Sequence, residues 1–337
     1  MIASRICPAL SILIAILVAS IPSRAQMPAR IAPADILIVH AKVYTLDQHA
    51  PWAQALAIRR GKIVAVGSDE VVGRMRGIGT RVIDANAVKF MLDGVVESHT
   101  AAFREPYSVD PSLKGSLFWD AEKYKSAVAE LDKRGLQLFT HAIGDSGIRT
   151  ALDAYDFAKT KNHTKDHRPR VEHIEDVSAP DLLRFGTLGV IASMQPLHSY
   201  PDADTLDVWA RNVGPERATR AWLWKTIADD GGHYAFGSDG PVVTLNPFEG
   251  IQVAVTRQTT DGKPPCGFIS SQRLTVAKAI EGYTLDAAYA GRRETGKLAD
   301  LIIVDRNLLE IDPQNIHETK VVFTIVGGEV VYEAETK

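Results

Sequence analysis

The sequence predicts an α/β protein with a parallel sheet covered by helices and a β domain built from both ends of the chain. Between residues 86 and 297, short apolar runs alternate with amphipathic segments of helical period. This alternation is typical of a parallel sheet in an open or closed arrangement. Residues 35–85 and 298–334 contain strand-like runs and turn residues only. Because each end alone would have too small a core, we expect one discontinuous β domain, a small β-sandwich formed from both termini.

The chain begins with the pattern of a secretory signal. Arg5 precedes an apolar run of about eleven residues, which is too short to cross a bilayer as a helix. Ser23 and Ala25 supply the small residues that signal peptidase accepts. We therefore expect residues 1–25 to be removed, leaving a secreted or periplasmic protein with no membrane segment. A buried N-terminal helix is the alternative interpretation.

The remaining elements follow in chain order. Arg60-Gly61 and Gly327-Gly328 predict two-residue turns in the opening and closing β segments. The strands predicted in the middle segment are Val88–Leu92, Leu136–His141, Val171–Ile174, Val190–Gln195 and Tyr234–Ser238. The helices predicted there are Ala121–Lys133, Ser146–Lys159, Ala179–Phe185, Glu216–Asp229 and Thr275–Ala290.

Composition excludes several classes of protein. The chain has 337 residues, 45% of them hydrophobic and 23% charged, which suits one large folded domain with or without a satellite. The formal net charge of −3 gives no basic footprint for nucleic acid. After removal of the signal, Cys266 is the one cysteine left, so no intramolecular disulfide is expected.

Polar residues at the ends of predicted strands indicate a metal site. His141 and His173 end two of these strands, Asp239 follows another, and Lys89 lies within the first. Taken singly, they have ordinary interpretations as structural histidines, a solvent-facing lysine and a turn residue. Together they are typical of a hydrolytic site for zinc or a similar divalent ion, because chemistry gathers at the carboxyl ends of parallel strands. A partly buried lysine with a lowered pKa could also form a carbamate that bridges two metals.

The same stretches carry a resemblance to the metal-dependent amidohydrolases of the amidohydrolase 3, YtcJ-like group. The matching motifs are VKFMLDGVVESHTA, FTHAIGD, VEHIEDV, SMQPLHSYPD, FGSDGPV, GYTLDAAYAG and the terminal GKLADLIIVDRN. The resemblance implies a (β/α)8 TIM-type barrel in residues 86–297 with a small β-sandwich. It also implies hydrolysis of non-peptide C–N bonds in a small-molecule substrate by a metal-activated water. Lys89, carboxylated or not, His141 and His173 would then be metal ligands, and Asp239 would be both a ligand and the general base.

One departure from the family pattern limits this expectation. The family has His-x-His at the end of the first barrel strand, whereas no two of the ten histidines here have that spacing. The β segment passes into the lysine strand within residues 81–89, so we count about five barrel strands instead of eight. The sequence therefore predicts an incomplete barrel that holds at most one metal and is impaired as an enzyme. Exposed sheet edges would favour self-association.

Two alternatives stay open. The chain could be a catalytically inactive truncated remnant with a binding role or none, and a deletion in the gene model would leave the same sequence. Weaker candidates for substrate binding are Glu97, His99 and His198, which lie in loops on the expected active face.

Overall fold

The computed structural model describes residues 31–335, apart from residues 42, 46, 85, 86, 165 and 292–299. The predicted signal, residues 1–25, and the junction at residues 85 and 86 therefore lie outside the described residues. Among the residues that are described, no helix is both long and apolar enough to cross a membrane.

The described chain contains fourteen strands, ten α-helices and short stretches of tighter or wider helix. The strands are β1 (Ile36–Val39), β2 (Val43–Tyr44), β3 (Trp52–Ala53), β4 (Ala55–Arg59), β5 (Lys62–Gly67), β6 (Arg81–Asp84), β7 (Ala87–Met91), β8 (Gln137–Ala142), β9 (Arg170–His173), β10 (Ile191–Met194), β11 (His233–Phe236), β12 (Leu301–Val304), β13 (Val321–Val326) and β14 (Glu329–Glu333). The α-helices are α1 (Asp69–Gly73), α2 (Ala121–Lys133), α3 (Asp145–Asn162), α4 (Ala179–Leu188), α5 (Ala210–Val213), α6 (Pro215–Ala218), α7 (Trp224–Asp229), α8 (Pro247–Thr256), α9 (Val276–Tyr283) and α10 (Leu285–Ala290). The 3₁₀ helices are Pro196–Ser199, Ser270–Gln272 and Pro313–Glu318, and residues Asp204–Trp209 form a π-helix.

A five-stranded parallel sheet forms the centre of the fold. Its strand order is β11-β10-β9-β8-β7, and all four pairings are parallel. These are the five strands predicted for the middle segment, displaced by no more than two residues at either end. The predicted mixed α/β class with a parallel sheet is confirmed.

Helices α2 and α3 pack on this sheet and bury aromatic side chains against it. Asp120 begins α2 by accepting a hydrogen bond from the Lys123 amide, which satisfies one of the free N–H groups of the first turn. Tyr124 of α2 and Tyr155 of α3 both hydrogen-bond the Thr140 hydroxyl of β8, at 2.7 Å each. The helices are thereby fixed to the strand that carries His141.

The two ends of the chain form separate sheets. The amino-terminal sheet has the order β5-β4-β1-β6 around a small core that includes Leu37 and Val72. The carboxyl-terminal sheet is β12-β13-β14. Both predicted turns are confirmed, because Arg60-Gly61 and Gly327-Gly328 join antiparallel strands with positive φ at all four residues. A single sandwich made from both ends stays a prediction.

Two predicted helices are wrong in extent. The segment Glu216–Asp229 is broken between α6 and α7, where Trp222 has a φ of 47° and its amide donates to the Glu175 carbonyl. The segment Thr275–Ala290 is interrupted at Thr284, which separates α9 from α10. Sequence periodicity did not predict helix α8, which Asn246 begins by accepting from the Phe248 amide.

Candidate active site

Two histidines meet at the carboxyl end of the parallel sheet. His141 lies on β8 and His173 ends the neighbouring β9, and their ring centroids are 4.5 Å apart. Both side chains are buried. In the parallel register His173 lies opposite Ala142, the residue after His141. The sheet therefore places the two histidines on adjacent strands one position apart. The structure thus brings these two predicted site residues into contact, and we call them the histidine pair.

Burial keeps the histidine pair uncharged. Loss of hydration lowers the pKa of His141. It also lowers the pKa of His173 to about 2, helped by the positive charge of Lys89. His141 Nε2 donates to the Gly94 carbonyl at 3.1 Å, and His173 Nδ1 donates to Gln195 Oε1 at 2.9 Å. Each ring thus keeps one nitrogen lone pair, which is the form of imidazole that binds metals.

The backbone is strained where β9 ends. His173 and Ile174 have φ values of 77° and 52°, in the left-handed region that β-branched residues rarely adopt. Two consecutive residues of this kind cost free energy that the surrounding contacts must offset, and such strain is concentrated at functional sites. It turns the chain so that the amide of Ile174 donates to the Ala142 carbonyl of β8.

A third imidazole extends the histidine pair. His198, in the 3₁₀ helix after β10, stacks on His173 with a centroid distance of 5.5 Å and an interplanar angle of 8°. Its Nδ1 lies 3.9 Å from Glu175 Oε1, and its Nε2 is buried with no hydrogen-bond partner. Glu175 in turn accepts from Trp209 Nε1 at 2.7 Å, and its burial raises its pKa to about 8.

Asp93 lies close to His141 and hydrogen-bonds two other segments of the chain. The sequence interpretation did not include it among the site residues. Its buried carboxylate accepts hydrogen bonds from the amides of Ala102, Ile143 and Gly144, at 2.9 to 3.0 Å. Oδ1 is also 3.6 Å from His141 Nε2. The only sequence signal for it was its position directly after the first parallel strand.

Two predicted ligands are more open to solvent than the sequence interpretation required. Lys89 on β7 is exposed, not partly buried. The reason is that β7 ends the sheet, and no described strand covers its far edge. Asp239 follows β11 with a φ of 53° and is also exposed. Both charges nevertheless act on the pKa of His141, Lys89 lowering it and Asp239 raising it.

The other two weak candidates have different surroundings. Glu97 is exposed, and its negative charge helps to raise the pKa of Glu175. His99 packs edge-on against Tyr107, at 4.9 Å between ring centroids, and its Nε2 is buried without a partner. Of the three, only His198 touches the histidine pair.

The donors present fit a divalent metal in kind and protonation state but not in number. The two neutral rings of the histidine pair offer nitrogen ligands, and the unpartnered Nε2 of His198 is a third nitrogen nearby. Across the described residues, however, no group of three or more His, Cys, Asp or Glu side chains is placed to hold one ion.

The low pKa of His173 leads to a prediction about acid stability. Because the pKa falls from 6.5 to about 2 on folding, protons bind the unfolded state preferentially below pH 6.5. Wild type should therefore lose stability relative to His173→Asn as the pH falls. At pH 8 the variant should be less stable than the wild type, because it lacks the packed ring. By pH 5 this difference in the free energy of unfolding should be smaller by about 2 kcal/mol. Urea unfolding of both proteins measures this, and a constant difference would contradict a neutral buried ring.

Similarity to known proteins extends over most of the chain. A family model described as "Amidohydrolase family" matches residues 23–332. The chain is similar to Protein LONG AFTER FAR-RED 3 of Arabidopsis thaliana, with 34% identity over 253 residues, 73% of this chain and 42% of that protein. It is also similar to the N-substituted formamide deformylase of Arthrobacter pascens, with 24% identity over 275 residues, 80% of this chain and 49% of that protein.

A solved structure agrees with these matches. An uncharacterized metal-dependent hydrolase from Pyrococcus horikoshii superposes with a TM-score of 0.59 at 26% identity, covering 71% of this chain and 47% of that chain. The chain spans less than half the length of each of these three relatives.

Proposed function

The chain belongs to the amidohydrolase family, and on that premise we propose that it is a metal-dependent hydrolase of non-peptide C–N bonds whose active site is impaired. The histidine pair is the observation that carries the proposal. Two buried, uncharged imidazoles in contact at the carboxyl ends of adjacent parallel strands suit a divalent metal, zinc being the first candidate. The relative that deformylates N-substituted formamides supports a small amide-like substrate.

The other site residues have proposed roles of different weight. His141 and His173 would be metal ligands. Lys89 would be a further ligand, carboxylated or not. Asp239 would be a ligand and would also accept a proton. The effect of the Lys89 and Asp239 charges on His141 supports their closeness to it. Their exposure, and the absence of a three-ligand group among the described side chains, support an impaired site.

We attribute the impairment to missing leading strands of a (β/α)8 barrel. β6 ends at Asp84 and β7 begins at Ala87, so the described chain has no room for a strand with His-x-His before the lysine strand. The free edge of β7, where Met91 is 47% exposed, would favour self-association. An inactive remnant is the second candidate function, favoured by the incomplete ligand set.

The finer architecture belongs to the same proposal. Residues 86–297 would be the partial barrel, and residues 35–85 with 298–334 the β-sandwich domain. Export through a cleaved signal at residues 1–25 rests on the sequence pattern alone.

Metal analysis tests the proposal. After loading with zinc and dialysis against zinc-free buffer, the chain should retain at most one equivalent per molecule, because the described residues supply two histidine ligands and no group of three side chains placed to hold an ion. His141→Ala or His173→Ala should release that equivalent, since one remaining histidine holds zinc poorly. Plasma mass spectrometry of the dialysed proteins measures the metal content.

His49→Ala is the matched control, because His49 is an exposed histidine in the amino-terminal segment. It should leave the metal content unchanged. Retention of full metal by both variants of the histidine pair would make these residues structural, and two equivalents in the wild type would mean that the site is complete.

A further inference from the structure

The far edge of β7 is open on the described part of the chain. β7 ends the five-stranded sheet and pairs there with β8. The Leu92 amide donates to the His141 carbonyl on the β8 side, at 3.1 Å. Because successive residues of a strand direct their backbone groups alternately to its two edges, the N–H and C=O groups of Lys89 and Met91 point to the open edge. A row of such groups is a template for a further strand.

The first two helices of the sheet each cover the groove between their own strand and the next one. Tyr124 of α2 has its ring 5.2 Å from that of Phe90 on β7, and its hydroxyl hydrogen-bonds Thr140 on β8. Tyr155 of α3 repeats this one strand further, because its hydroxyl contacts Thr140 on β8 and the Arg170 carbonyl on β9. The groove on the open side of β7 would therefore be covered by a helix that precedes β7.

Apolar side chains are exposed on both sides of the open edge. On the helix side, the Trp119 ring lies edge-on to Phe90 at 5.4 Å, and 40% of Trp119 is exposed. Phe118 is 57% exposed, and its amide donates to the carbonyl of Leu92, directly after β7. Met91, next to Phe90 in the strand, is exposed on the opposite face. We call Met91, Phe118 and Trp119 the β7 patch.

The β7 patch fits a strand that is joined to a helix. An added strand pairs with the edge and covers Met91, but it leaves the face that carries Trp119 in solvent. A helix joined to that strand would pack on this face, as α2 and α3 pack on the neighbouring grooves. A parallel strand with its helix is the βα unit from which the rest of this sheet is built.

A second copy of this chain suits the edge poorly. Two β7 strands related by a two-fold axis would pair antiparallel. Lys89 is the central residue of β7, so the two lysines would lie opposite or diagonal to each other, where like charges repel. Lys89 is exposed, and no carboxylate of the described residues lies within 4.0 Å of it to offset this repulsion. A closed dimer through this edge is therefore disfavoured.

We propose that the open edge of β7 and the β7 patch bind a separate polypeptide that supplies leading βα units, so that the hydrolase is assembled from two chains. This inference rests on the function proposed above. The chain spans less than half the length of the relatives described, so their additional part is long enough for several such units. Met91 lies opposite His141 in the register, so a parallel strand added to β7 would end at the same edge of the sheet as the histidine pair.

Co-expression tests the assembly. The probe is a tagged polypeptide that comprises the leading βα units of the Arabidopsis thaliana relative, produced together with the full chain. The two should purify as a monodisperse complex of one copy each. Met91→Lys and Phe118→Lys, on the two sides of the edge, should each weaken the association about tenfold or more, because each replaces a buried apolar contact by a charge.

Val71→Lys is the matched control, because Val71 is 54% exposed on α1 and receives the same substitution away from β7. It should bind the probe like the wild type. Equal binding by all folded variants would overturn the β7 patch as a docking surface. A closed homodimer that the same substitutions disrupt would assign the surface to a second copy and overturn the proposal.

Trp119→Lys tests the helix of the partner separately from its strand, and thermal unfolding shows which variants fold. If Met91→Lys weakens the association while Phe118→Lys and Trp119→Lys leave it unchanged, the partner adds a strand alone, which would overturn the βα unit.

Hydrolysis separates this inference from the proposed function. The co-purified complex should hydrolyse N-methylformamide in a metal-dependent manner. A stable complex without hydrolysis would contradict the proposed function and leave the docking surface standing. If the separate chains do not associate although the same units inserted into the chain restore hydrolysis, the assembly from two chains is wrong and the proposed function stands.

Discussion

Insertion of a relative's leading βα units between Asp84 and Ala87 is expected to turn this chain into a monodisperse, metal-dependent hydrolase. The inserted strands would cover the free edge of β7 and bring the His-x-His pair to the histidine pair. Each strand adds apolar contacts at about 25 cal/mol per Å² of buried surface. The burial that several strands supply is of the order of tens of kcal/mol before the entropy of ordering them is subtracted, which exceeds the 5–15 kcal/mol or so by which a typical domain is stable.

The effect is read from two measurements. Light scattering should change from a self-associated species to a single monodisperse one, and amide hydrolysis should rise from near background to a metal-dependent rate. The same insertion with both inserted histidines replaced by alanine is the matched control. It should restore the assembly state without the activity, which separates repair of the sheet from repair of the metal site.

A second substitution tests the role of Asp239 in the repaired enzyme. Asp239→Asn should abolish turnover, because it replaces the proposed ligand and proton acceptor. It should leave the fold intact, because Asp239 is exposed after β11 and supports no buried contact among the described residues. If the chain without any insertion proves monomeric, cooperatively folded and comparably active, the missing-strand interpretation is wrong.

Replacement of Asp93 is expected to give the largest loss of stability of any single substitution at the site. Both carboxylate oxygens are used, Oδ1 by the Ile143 amide and Oδ2 by the amides of Ala102 and Gly144. Asp93→Ala leaves these buried N–H groups without an acceptor, at a cost of roughly 1–3 kcal/mol for each one that stays unsatisfied. Urea unfolding should show a loss of about 3 kcal/mol or more.

Two further variants show what the carboxylate does. Asp93→Asn should also be strongly destabilising, because one oxygen is replaced by an NH₂ group that faces a backbone donor. Asp120→Ala, which removes the exposed cap of α2, is the control and should cost about 1 kcal/mol. A loss at Asp93 no larger than at Asp120 would mean that water replaces the carboxylate and that Asp93 does not organise the site.

Much of the central sheet was predictable from the sequence because of where its strands lie. Parallel strands with helices on their faces are buried on both sides, so they appear as apolar runs between turn residues. The breaks in the helical segments were not predictable in this way. Trp222 takes a left-handed conformation because its amide is needed by the Glu175 carbonyl, and nothing in a tryptophan signals such a turn.

The candidate site was predictable where residue type and strand position coincide. His141 and His173 were found because they end adjacent strands. Asp93 was missed since its partners are backbone amides, one of them 50 residues further along the chain, and amides have no sequence signature. The exposure of Lys89 was not predictable, because it depends on the position of β7 at the edge of the described sheet. A lysine and its neighbours in sequence do not indicate that position.

The order of the parallel sheet has a consequence for how the chain folds and how the family evolves. Each strand from β7 to β11 pairs with the next one in the chain, so spatial order repeats synthesis order. Contacts are therefore made between consecutive βα units, and the sheet can grow by addition at one edge as the chain leaves the ribosome. A deletion of the leading units removes the first steps of this growth and breaks no later pairing. Deletion of whole βα units from the leading edge therefore leaves the register of every remaining strand unchanged.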